Sequence, residues 1–81
     1  MTAAQCRMAR AALQLGVREC AALAAVSPNT IARLERGETL YPRTVAAIRA
    51  ALEAAGVEFI DANGSGPGVR LRKGAGAAGT E

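Results

Sequence analysis

The stretch Glu19–Gly37, ECAALAAVSPNTIARLERG, decides how this chain is read. Ser27 stands where a helix N-cap belongs, because its hydroxyl can accept from a first-turn N–H that otherwise lacks a partner. Pro28 follows at the first helical position, where a missing N–H costs nothing. Ile31 and Leu34 then recur at helical spacing, and Gly37 supplies the stop. Upstream, Val17–Ala24 reads as a short Ala-rich helix with Glu19 near its positive end. Two short helices joined only by Ala25-Val26 make a helix-turn-helix, whose second helix can enter a DNA major groove.

Working outward, Thr2–Leu15 reads as helix one. Thr2 caps it, Gln5 completes a capping box, and Cys6, Ala9 and Leu13 form its apolar stripe with Arg7 and Arg10 off or beside it. Gly16 is expected to end this helix and to start the next. In helix two, Cys20, Ala21 and Ala24 are the inward positions, and Val26 is expected to plug the angle between helices two and three. Helix three runs from Pro28 to Arg36, and Glu38–Tyr41 is a loop. Pro42 opens helix four, which continues to about Ala55; Val45, Ile48 and Leu52 form one buried stripe, Arg49 and Glu53 decorate the outer face, and Gly56 is the C-cap. Val57–Ile60 and Gly68–Arg72 then carry strand-forming residues around the turn chemistry of Asp61–Pro67. The chain is thus expected to be mainly α, with a helical domain over 1–56, a β-hairpin over 57–72, and a Gly/Ala-rich disordered tail over 73–81.

The 81 residues suffice for one small core. The 51% hydrophobic fraction overstates that core, since about half of it is alanine. Alanine favours helices and close packing but contributes little buried area. A net charge of +3 suits a polyanionic partner. Cys6 and Cys20 have no His, CxxC or further ligand beside them, so no metal and no cofactor is expected, and buried free thiols are the favoured reading. Neither Cys has a base partner and no carboxylate pair has a pocket, so no enzyme is expected. Gly64–Gly68 is followed by a strand rather than a helix, which favours a hairpin turn over a phosphate loop. Nothing indicates a signal peptide or a membrane span, and the cytoplasm is expected.

Val26–Gly37, VSPNTIARLERG, resembles the Cro/repressor type of helix-turn-helix, the XRE family, whose pattern after the turn is V-S-x-x-T-I-x-R-I/L-E-R-G. The resemblance covers roughly residues 3–55 and includes Arg10, Pro42 and the Val45, Ile48, Leu52 stripe. It implies a four-helix Cro/repressor-like domain followed by the hairpin. It also implies that Ser27, Pro28, Asn29, Ala32 and Arg33 face base edges, that Tyr41 and Arg43 touch phosphate, and that Arg10 and Glu35 form a salt bridge between helices one and three. Arg36 is read as a phosphate contact too. Family members often open helix two with Ser-Gln, where this chain has Gly16 and Val17; Arg18 next door is either a substitute phosphate contact or an ordinary exposed charge. Asn29 either reads adenine or favours the first helical turn. Ala25 replaces the usual turn glycine, which predicts an altered or strained turn.

The function implied is a sequence-specific, dimeric regulator of transcription, a repressor or autoregulator of a bacterium or phage, bound to palindromic double-stranded DNA. The alternative is an antitoxin or adaptor whose hairpin or tail binds another protein. With so little large apolar core, a dimer is expected through the hairpin, using Val57, Phe59, Ile60, Val69 and Leu71; the competing arrangement folds the hairpin back on its own domain. Arg70, Arg72 and Lys73 are read as either DNA-backbone contacts or a charged edge that blocks aggregation.

Overall fold

The computed structural model describes residues 1–61, 64 and 66–72; the expected tail, with Lys73, lies outside the described residues. Four helices precede two strands: α1 (Ala3–Ala12), α2 (Val17–Ala24), α3 (Pro28–Glu35), α4 (Pro42–Ala54), β1 (Val57–Ile60) and β2 (Gly68–Leu71). The strands pair antiparallel, with Val57 opposite Leu71 and Phe59 opposite Val69. Among the described residues no helix is long and apolar enough to cross a membrane.

Each helix starts on the signal written in its sequence. Thr2 and Gln5 form a reciprocal capping box on α1, and the Ser27 hydroxyl accepts from the Thr30 N–H of α3 at 3.2 Å. Pro28 and Pro42 open α3 and α4. The first three helices also end alike. In each, one N–H reaches back to the carbonyl five residues earlier: Leu15 to Arg10, Val26 to Ala21 and Glu38 to Arg33, at 2.9, 3.0 and 3.1 Å. This closure needs one left-handed residue per helix, a role filled by Gln14, Ala25 and Gly37.

The end of α1 therefore differs from the sequence expectation. The helix closes at Ala12 and Gln14 takes the left-handed position at φ 58°, while Gly16 starts α2 as expected, as its extended N-cap. Ala25 sits at φ 57°, ψ 41°, a conformation that costs an L-residue roughly 1–2 kcal/mol. Ala25→Gly should accordingly raise stability by about 0.5–1 kcal/mol, after the looser unfolded chain is counted. A chemical-denaturation midpoint equal to or below wild type would show that the turn is unstrained.

The core gathers Cys6 and Ala9 from α1, Cys20, Ala21 and Ala24 from α2, Ile31 and Leu34 from α3, Ile48 and Leu52 from α4, and Val57 from β1. Leu13, Val26 and Val45 pack only partly buried at its edge. The fully buried large aliphatic side chains are Ile31, Ile48, Leu52 and Val57. Burial of each contributes about 2 kcal/mol, so the first residue of the hairpin supports the helices as much as any helical residue does.

The hairpin lies against α1 and α4. Val57, Phe59, Val69 and Leu71 share one face; Val57 is fully buried, while Phe59 and Val69 are half-buried against the core. The expectation that Val57 meets a second copy is corrected: its side chain completes the core of its own chain, because the helices alone leave that core open. Phe59 is covered by Arg49, whose guanidinium carbon stands 5.0 Å from the ring centroid. Arg49 thus does more than decorate the outer face of α4. On the opposite face of the hairpin Arg70 pairs with Glu58 at 2.7 Å; just past β2, Arg72 donates to the Glu53 carbonyl of α4 at 2.6 Å.

Gln5 binds the two layers together. It is 3% exposed, and its amide nitrogen donates to the carbonyls of Ile60 and Gly68 at 3.0 and 3.1 Å. Its amide oxygen accepts from the Thr2 N–H at 2.9 Å. One side chain therefore caps α1 and clamps both strands.

Candidate nucleic-acid interface

The Ser27 cap and the Gly37 stop fix the length of α3, and Ile31 and Leu34 fix its rotation by pointing into the core. Its other side must then face outward. Ser27, Pro28 and Asn29 are exposed at its start, Ala32 and Arg33 are half-buried along it, and Arg36 is exposed at its end. Ser27 is partly engaged, because its hydroxyl both caps the helix and contacts the Thr30 hydroxyl at 2.9 Å.

Beside α3 the loop to α4 completes an open groove of about 580 Å³. It is lined by Thr30 and Arg33 of α3, by Thr39, Leu40 and Tyr41 of the loop, and by Pro42 and Thr44 at the start of α4. Tyr41 is 71% exposed, and the Arg43 guanidinium lies over its ring at 5.1 Å. Arg33 and Tyr41 thus line one groove, and Arg43 stacks on Tyr41 beside it. Arg18 is exposed in the first turn of α2, and none of the ion pairs among the described residues includes it.

The arginines of α3 have an unforeseen partner. Arg33 Nε lies 2.9 Å from one oxygen of Glu38, and Arg36 Nη2 lies 2.8 Å from the other. Hydrogen bonds from Arg33 and then Arg36 hold the Glu38 carboxyl below the usual carboxylate range. The sequence places Glu38 in the loop, but its pairing depends on how the chain turns at Gly37. A carboxylate two and five residues beyond two helical arginines is the signal that could have suggested it.

Behind this face lies the Arg10–Glu35 pair. Arg10 Nε and Nη2 each donate to a Glu35 oxygen at 2.8 Å, a two-pronged contact between α1 and α3. Arg10 Nη1 also holds the Leu15 carbonyl at 3.1 Å, which ties in the connection to α2. The Cys6 thiol donates to Glu35 at 3.3 Å, and Arg7 donates to the Glu35 backbone carbonyl. Hydrogen bonding with Cys20, burial and the Glu35 carboxylate all push the Cys6 thiol up, away from thiolate chemistry at neutral pH.

No family model matches the chain, and no curated protein matches it. The functional reading rests on the residues themselves.

Proposed function

We propose that this protein is a sequence-specific DNA-binding regulator of transcription, a repressor or autoregulator of the Cro/repressor type, that reads duplex DNA through α3 and works as a dimer. The observation that carries the reading is the outward face of α3. A Ser27-capped helix of eight residues follows a tight turn, presents Asn29, Ala32 and Arg33, and is flanked by Arg36, Tyr41 and Arg43. A helix of this size suits a major groove, while arginines at its end and on the adjoining loop suit the phosphates that border it. Arg33 is assigned to guanine and Asn29 to adenine, the pairings that their side-chain geometry favours. Arg18 serves as a further phosphate contact. A two-fold dimer would set two such helices roughly 34 Å apart on a palindromic site. With Val57 committed to its own core, the partly exposed Leu71 and Ile60 and the backbone edge of the hairpin are the remaining elements of the proposed contact.

Selection from a pool of randomised duplexes tests this. Wild type should enrich one palindromic sequence, and Arg33→Ala should lose discrimination at one base pair per half-site, about 2 kcal/mol. Failure to enrich any sequence would overturn the proposal; unchanged discrimination by the variant would overturn the role of Arg33.

A further inference from the structure

We infer that Glu38 is an internal competitor for DNA: its carboxylate occupies Arg33 and Arg36 in the free protein and holds them back from phosphate on sequences that offer nothing better. The inference rests on the DNA-binding reading of α3.

The placement of Glu38 is built by the backbone. Gly37 takes φ 87°, and the Glu38 N–H closes on the Arg33 carbonyl at 3.1 Å, which brings Glu38 beside the last turn of α3. One carboxylate oxygen then accepts from Arg33 Nε at 2.9 Å, and the other accepts from Arg36 Nε and Nη2 at 3.2 and 2.8 Å. These are the donors a phosphate oxygen or a guanine edge would use, and a carboxylate presents the same pair of acceptors. Arg33 also lines the groove, so the competition takes place at the proposed interface.

Exposure sets the strength of the competitor. The side chains of Arg33, Arg36 and Glu38 are 43%, 57% and 42% exposed. Ion pairs so open to water are weak and exchange readily. A single phosphate contact, itself exposed, gains little by displacing Glu38. A two-pronged contact with a matched base gains more, because it is specific in geometry and shielded in the groove. The carboxylate therefore sets a threshold. Arg33 leaves Glu38 where the matching base is present and stays with it elsewhere.

The test compares wild type, Glu38→Gln, Arg33→Ala/Arg36→Ala, and the triple variant that combines them, on a fluorescein-labelled duplex of random sequence. Anisotropy is followed across a range of salt concentrations. Glu38→Gln should bind about 3- to 10-fold more tightly at low salt, with a salt slope steeper by about one. The gain should vanish in the triple variant relative to the double. Equal affinity of wild type and Glu38→Gln for a duplex that both bind would overturn the inference and leave the DNA reading intact. A gain that persists without the two arginines would also overturn it, since Glu38 would then act only through net charge. Absence of binding by every protein at low salt would overturn the DNA reading itself, and the inference with it.

Discussion

Glu35→Ala is expected to destabilise the protein by about 3–4 kcal/mol, the largest loss from any single polar side chain here. The variant removes both acceptors of the Arg10 fork and the partner of the Cys6 thiol in one step. The Glu35 and Arg10 side chains are only 10% and 22% exposed, so the stranded guanidinium cannot recover full hydration without moving out of its site. Leaving a charge so placed without its partner costs far more than breaking a surface pair. Arg10 would also lose the orientation that lets it hold the Leu15 carbonyl, which loosens the link between α1 and α2. Chemical denaturation checks this; a midpoint within error of wild type would show that the pair contributes nothing.

The same pair predicts an acid limb. Its hydrogen bonds with Arg10 hold the Glu35 carboxyl below its ordinary value. The stabilisation is therefore complete above the unfolded carboxylate range, near pH ~4.3. It is lost as pH falls through the lowered folded value, because the unfolded chain then binds the proton more readily. Wild type should lose melting temperature steeply in that acid window, and Glu35→Ala should lose less.

Gln5→Leu should cost about 3 kcal/mol and act mainly on the hairpin. The substitution nearly preserves side-chain volume, so the loss comes from polar groups rather than from a cavity. The Thr2 N–H and the Ile60 and Gly68 carbonyls all lose their bond to Gln5. Each partly buried group left unpaired costs about 1–3 kcal/mol, reduced where water can reach it. Hydrogen exchange should report faster opening of β1 and β2 than of α2 and α3. Uniform acceleration across all six elements would show that Gln5 supports the whole fold equally, and unchanged exchange would show that the clamp is dispensable.

The features legible in the sequence are those fixed by neighbours in the chain. Thr2 with Gln5, Ser27 with Pro28, and Pro42 act within one helical turn, and they locate the helix starts. Ile31, Leu34, Ile48 and Leu52 recur at helical spacing, and they locate the buried faces. The features that sequence reading missed depend on residues brought together by folding. Nothing local distinguishes a Gln5 that only caps from one that also clamps a hairpin 55 residues later. The alternation of Val57 with Phe59 and of Val69 with Leu71 is legible in each strand, but what joins them into one face is the strand register, and what covers that face is set by how α1 and α4 pack. Gly16 is legible as the start of α2, but not the close of α1 before it: glycine marks helix ends well, yet here Gln14 tolerates the left-handed position and takes that role. The pairing of Glu38 was hidden because α3 and its loop read as separate elements.

The central claim is that α3 is a DNA-reading helix. A titration of the isotope-labelled protein with a duplex recovered by selection, followed by amide chemical shifts, tests it most directly. The largest changes should fall on Ser27–Arg36 and on Tyr41–Thr44, with little change in α1 beyond its contact with α3. Changes centred on the hairpin with α3 unmoved, or no saturable change at all, would contradict it.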